Sequence, residues 1–214
     1  MKSNLDCWKT MQEEGYFEKH PRYMGLLSFG EETVPAIEQF TKLKPSDNVI
    51  VLGCGYGREC IQIAPFVKRV YGLDVSYTII KKALKFTRKQ GMVNFVGVTV
   101  DTWERDIPGG IDLIYSMAVM QHLTRDLVFD YFTRLPKKLT RNGMMIIQFL
   151  EKSTDIYHDA EIKVYEPQVS WTEIEIREMA AACGLVVEVK TIKATEIAVW
   201  HWCCFRRELN DTPI

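Results

Sequence analysis

Three glycines and two acids give the first chemical lead. Gly53, Gly55 and Gly57 stand in the run LGCGYG at 52–57, with Cys54 between the first two. Glycine reaches backbone angles, and lets main chain approach a ligand, where a Cβ would block both. Asp74 follows 21 residues after Gly53, at the end of an apolar run and with Val75 beside it. A carboxylate at that spacing can accept two hydrogen bonds from ribose hydroxyls, or it can simply cap the helix that follows. A second acid opens the triplet Asp101, Thr102 and Trp103. Asp101 would accept from an adenine amino group with Trp103 packed nearby; the plainer alternative is a loop carboxylate and a partly buried indole.

These residues need a scaffold that brings strand ends together. Apolar, β-branched runs alternate with helical segments, which predicts a doubly wound α/β fold with a mostly parallel sheet and helices on both faces. Strands are expected at 48–53, 69–74, 94–100, 111–116 and 144–150, the last after a turn at Asn142 and Gly143. Helices are expected at 57–65, at 77–90 with Ser76 as cap and Gly91 as stop, and at 125–139 with a tightening near Pro136. Ser170 and Glu173 have capping-box spacing and should open a helix that ends at Gly184. Strands at 185–190 and 197–205 close the chain as a hairpin, giving seven strands with an antiparallel C-terminal one. The glycine loop then lies at the carboxyl end of the first strand, where open parallel sheets bind ligands.

One domain is expected over 1–214. Within it, 1–45 form a helical segment or a lid, 46–150 the cofactor-binding core, 151–170 a substrate-side insertion, and 171–214 a helix and hairpin. The first segment carries Trp8, Tyr16, Phe17, Tyr23 and Phe29, aromatics suited either to packing on the core or to covering a site.

The net charge is −1, from 27 Lys and Arg against 28 Asp and Glu, which argues against a partner held by phosphate attraction. Lys81, Lys82, Lys85, Arg88 and Lys89 cluster on one predicted helix, more in the manner of a solvated face than of a phosphate site. No apolar run is long enough to span a bilayer. The first 15 residues carry acids where a secretion signal needs an apolar core, so a cytoplasmic location is expected. The six cysteines form no C-x-x-C pair; reduced, mostly buried thiols are expected, and no metal.

The order LGCGYG, VYGLDVS, VDTW and IDLIYSMAVMQHL resembles the class I S-adenosylmethionine-dependent methyltransferases, in their small-molecule branch, over about residues 46–150. The resemblance implies S-adenosylmethionine as cofactor and S-adenosylhomocysteine as product. It implies Gly53 and Gly55 beside the methionine part, Asp74 at the ribose, Asp101 at the adenine end, and main chain of Ser116 and Met117 toward the methionine moiety. It also implies transfer to an O or N atom of a small-molecule acceptor. Val51 stands where the family usually has an acid, so contact with the methionine amino group falls to another residue, Glu59 or one from the N-terminal segment.

His122, just beyond the fourth strand, is the candidate general base, since an imidazole can take a proton near neutral pH; otherwise it anchors the loop. Tyr16, Tyr23 and Tyr165 are candidate walls of the acceptor pocket, with His158, Glu166 and His20 as weaker candidates and His201 as structural. Two other functions fit parts of the pattern. One is a nicotinamide-dependent oxidoreductase, because Cys60 is small at the third glycine position counted from Gly55. The other is a noncatalytic cofactor-binding protein.

Overall fold

The structure, a computed structural model, describes residues 4–16, 32–152, 169–193 and 198–208. Seven strands form one sheet: β1 (Asn48–Leu52), β2 (Arg69–Asp74), β3 (Phe95–Thr99), β4 (Ile111–Ser116), β5 (Leu139–Lys152), β6 (Leu185–Lys193) and β7 (Ala198–Arg207). Their order is β3-β2-β1-β4-β5-β7-β6. β1 through β5 run parallel, and β7 runs antiparallel between β5 and β6.

Alternation along each strand feeds two apolar layers. Ile50, Leu52, Tyr71 and Leu73 face one side, under α5 (Trp103–Asp106), α6 (Arg125–Arg134) and α7 (Glu173–Ala182). Val49, Val51, Val70 and Tyr115 face the other, under α2 (Thr33–Glu38), α3 (Arg58–Ile63) and α4 (Tyr77–Lys89). Strands buried on both faces read as near-continuous apolar runs, which is why β1, β2 and β4 stand out in the sequence. The chain leaves β1 toward β2 and β3, then returns to β4 on β1's other edge. That reversal opens a crevice beyond the carboxyl ends of β1 and β4. One more helix, α1 (Asn4–Glu13), lies outside the sheet.

Several local expectations shift. Asn142 and Gly143 do not turn the chain into a new strand; they lie inside β5, which already pairs with β4 at Leu139. The register jumps from Leu139 opposite Ile111 to Met144 opposite Leu113, so β5 bulges there. A Cβ on Gly143 would sit 2.7 Å from the Ile111 carbonyl oxygen, so the glycine permits the bulge. The capping box is Thr172 with Glu175, two residues later than expected, and the helix ends at Ala182. Ser170 instead accepts from the Lys152 amide at 3.0 Å. Near Pro136 the α6 helix tightens into a 3-10 turn over Leu135–Lys138, as a residue without an amide hydrogen requires. All six cysteines are free; Cys54, Cys60, Cys203 and Cys204 are buried, whereas Cys7 and Cys183 are half-buried. Among the described residues, no helix is long and apolar enough to cross a membrane.

Candidate cofactor and methyl-transfer site

The crevice holds a cavity of about 150 Å³. One water needs only about 10–15 Å³ of such space, so this volume suits a ligand. Its walls come from the β1 end, the β2 end, the segment after β4, and α1.

The glycine loop forms the first wall. The amides of Gly53 and Cys54 both donate to the Leu73 carbonyl, at 2.7 and 3.1 Å, which pins the loop to β2. Gly53 has φ +71°, and a Cβ there would lie 2.3 Å from Val119 Cγ2. Only glycine therefore lets the β1 and β4 ends approach so closely. Gly57 works differently. It starts α3 at φ +87°, and a Cβ would meet Thr87 Cγ2 at 2.9 Å, so it serves helix packing and does not line the cavity.

Asp74 is buried where the walls converge. Its Oδ2 accepts from the Gly55 amide at 2.8 Å. Its Oδ1 accepts from the Val75 amide at 2.7 Å and from Gln12 Nε2 at 3.0 Å. Burial pushes the carboxyl above its ordinary range, and the hydrogen bonds donated by Gly55, Gln12, Val75 and Ser76 pull it back in part. Glu59 also lines the cavity; burial raises its carboxyl, and the Arg58 guanidinium opposes that rise. Val51 is turned into the core beneath α2, α3 and α4, and does not reach the cavity.

The segment after β4 forms the floor. Ser116 is buried and donates through Oγ to the Leu52 carbonyl at 3.0 Å, clamping the ends of β4 and β1 together from behind the wall. Met117, Ala118 and Val119 line the cavity. Ala118 has φ +56°, an angle that costs an alanine free energy, and its amide is held by Gln148 Oε1 at 3.1 Å. His122 ends the short 3-10 turn Met120–His122 and reaches the cavity. Tyr131 from α6 closes this side, its phenol pushed up to about 12 chiefly by burial.

The fourth wall is α1, continued by Tyr16. Leu5, Trp8, Gln12 and Tyr16 all line the cavity. Leu5, Trp8 and Gln12, three and four residues apart, share one face of α1, and Tyr16 follows after Gly15 at φ +87°. Trp8 Nε1 donates to the His122 carbonyl at 3.0 Å, and Asn4 Nδ2 to the same oxygen at 3.2 Å. The Trp8 ring lies 4.8 Å from the His122 imidazole and 5.4 Å from the Tyr16 ring.

Gly53, Cys54, Gly55, Asp74, Val75, Met117, His122 and Tyr16 thus meet around one cavity. Asp101 and Thr102 do not line it; Asp101 is exposed, and from the end of β3 it is Val100 that reaches the wall. Trp103 is 1% exposed, packed in the core with the Arg134 guanidinium 5.3 Å over its ring. Tyr23, Tyr165, His20, His158 and Glu166 lie outside the described residues. The segment after them rejoins beside the floor, where the Val169 amide donates to the Gln121 carbonyl at 2.6 Å. His201 is buried elsewhere, between Thr191 Oγ1 at 2.9 Å and Glu151 Oε2 at 2.7 Å. Sequence reasoning missed Leu5, Gln12, Tyr56 and Tyr131; for α1 the 5, 8, 12 periodicity was the available signal.

Residues 16–212 match the family described as mycolic acid cyclopropane synthetase. The chain belongs to that family. This cyclopropane synthetase family member is 25% identical over 187 residues to phosphoethanolamine N-methyltransferase of Plasmodium falciparum (isolate 3D7), across 83% of this chain and 70% of that protein. Its fold resembles Haemonchus contortus phosphoethanolamine N-methyltransferase 2, solved with phosphomonomethylethanolamine and S-adenosylhomocysteine. There the TM-score is 0.75 and the identity 16%, covering 97% of this chain and 60% of that one. It also resembles a TehB-like methyltransferase from Corynebacterium glutamicum, with TM-score 0.64 and identity 19% over 93% of this chain and all of that one. The protein is a class I S-adenosylmethionine-dependent methyltransferase, which sets aside the oxidoreductase and noncatalytic readings. The residues present fit that cofactor: Asp74 is a buried acceptor, and Gln12 Oε1 is a second buried acceptor with no partner of its own.

Proposed function

We propose that the enzyme moves the methyl group to an O or N atom of a small-molecule acceptor bound between the sheet's carboxyl edge and α1. The observation that carries this reading is the aromatic face of α1 closing over the cavity, with Trp8 packed on His122 at 4.8 Å. S-adenosylmethionine, when bound, supplies a methyl carbon on a sulfonium. What the chain must add is alignment of the acceptor with that carbon and exclusion of water. Leu5, Trp8 and Tyr16 supply apolar cover. His122, its carbonyl tied to α1, is held where its imidazole can take the proton that a hydroxyl or ammonium acceptor releases. A net charge of −1 gives little general pull on a polyanion. The phosphoethanolamine N-methyltransferase relative supports a small amine as acceptor class. The substrate-side insertion at 151–170 is read as the rest of the acceptor site, within a single domain acting in the cytoplasm.

The test is a labelled-methyl screen over polar metabolites, phosphorylated amines, unsaturated lipids, peptides and RNA. Label in a small amine or alcohol, lost in His122→Ala, is expected. Label confined to lipid double bonds, protein or RNA would overturn the acceptor class and leave methyl transfer standing.

A further inference from the structure

Gln12 belongs to none of the motifs that mark the cofactor site, yet it reaches the centre of that site. It comes from α1, is 5% exposed, and lines the cavity. Its Nε2 is spent on Asp74 Oδ1. Its Oε1 is buried without a hydrogen-bond partner. A buried amide oxygen in that state is costly until a donor arrives.

Asp74 restricts what that donor can be. A carboxylate offers about four acceptor sites. Four donors already face Asp74: the main-chain amides of Gly55, Val75 and Ser76, and Gln12 Nε2. The carboxylate therefore has too few free acceptor sites for both hydroxyls of a vicinal diol arriving there. The amide bonded to that carboxylate has an unused buried acceptor to offer a diol hydroxyl. We infer that Gln12 is a cofactor-binding residue, its Oε1 accepting from a ribose hydroxyl while its Nε2 stays on Asp74. The inference rests on the methyltransferase reading and adds a residue to it.

The bridge has a consequence for order of binding. Asn4 and Trp8 on the same helix hold the His122 carbonyl. Cofactor bound between Asp74 and Gln12 fixes α1, and α1 fixes the turn that bears His122. The acceptor side is then organised only after the cofactor side is filled.

The experiment uses the full chain and S-adenosylhomocysteine, which binds without turnover. Calorimetry gives affinity, and hydrogen exchange over residues 4–16 reports α1. Wild type is expected to bind and to gain protection in α1; failure of wild type to bind would overturn the cofactor reading itself. Gln12→Ala is expected to bind about tenfold more weakly, as for one lost hydrogen bond, and to gain no protection in α1. Gln12→Met keeps the length of the side chain and should behave the same way should the alanine variant fail to fold. Gln12→Glu sets a second carboxylate against Asp74 and should bind more weakly still. Wild-type affinity in the folded Ala or Met variant, or wild-type protection of α1 in either, would overturn the role of Gln12 and leave the cofactor reading intact.

Discussion

The two sides of the cavity are held by different kinds of bond. On the sheet side the main chain does the work: the Gly53 and Cys54 amides are tied to Leu73, and the Gly55 and Val75 amides to Asp74. The Gly53 and Cys54 contacts extend the parallel sheet and survive a change of side chain, whereas those of Gly55 and Val75 depend on the one carboxylate of Asp74. On the α1 side the described polar contacts to the site are made by side chains, with Gln12 on Asp74 and with Asn4 and Trp8 on the His122 carbonyl. The difference implies a division of labour. The sheet presents a site that exists before ligand arrives, and α1 presents one that a few side chains can open or close.

The harshest way to break that contrast is to remove the residue on which both sides converge. Asp74→Ala deprives the Gly55 and Val75 amides and Gln12 of their common acceptor. Loss of a buried, charged hydrogen-bond partner is expected to weaken S-adenosylhomocysteine binding by about 1–3 kcal/mol, or roughly 5- to 150-fold. Calorimetry checks this, and an unchanged affinity would take Asp74 out of the site.

A gentler substitution separates the two sides. Trp8→Phe keeps an aromatic ring against His122 but deletes the indole N–H that donates to its carbonyl. Asn4 still holds that oxygen. The expected cost is about 0.5–1.5 kcal/mol of stability, read as a lower denaturation midpoint. Turnover should fall by several fold and cofactor affinity by less, because Gln12 still docks α1 on Asp74. Should affinity fall as much as turnover, α1 would not be separable from the cofactor side.

The same contrast explains what could be read from the chain. β1, β2 and β4 were legible because a strand buried on both faces must be apolar throughout, and β2 and β4 were placed to the residue. Asp74 was legible because it ends such a strand 21 residues after Gly53. Gln12 was not: a glutamine on a short amphipathic helix ordinarily faces water, and only its tertiary contact reveals otherwise. Trp103 illustrates the opposite failing. An aromatic just after a strand end can turn toward the crevice or into the core, and the sequence does not encode which way α5 packs; here the ring goes under Arg134. Asn142 and Gly143 have turn chemistry, but the Ile111 carbonyl they pass belongs to a strand far away in sequence, so a bulge and a turn look alike.

The smallest effect expected is a pH dependence, and its sign sharpens the comparison further. Burial raises Asp74 above the ordinary carboxylate range, and raises Glu59 as well, with Asp74 adding to the rise. Between the unfolded and folded values, the folded protein keeps protons that the unfolded chain has released. Stability attributable to these two acids therefore falls as pH rises through that window. Cofactor affinity should run the other way, because ionised Asp74 is the better acceptor and it charges as pH rises through its folded value. Other acids contribute an opposing slope; Glu104 and Asp106 are held low, by Arg134 and Arg105 respectively, and favour the folded state once ionised. The informative quantity is thus the difference between wild type and Asp74→Ala, in melting temperature and in S-adenosylhomocysteine affinity, across mildly acidic pH. The stability difference, wild type minus variant, should slope downward with pH while the affinity difference slopes upward. A stability difference that is flat or rises would mean that the main-chain amides around Asp74 fully offset its burial. The sheet side would then carry no electrostatic strain for the cofactor to relieve.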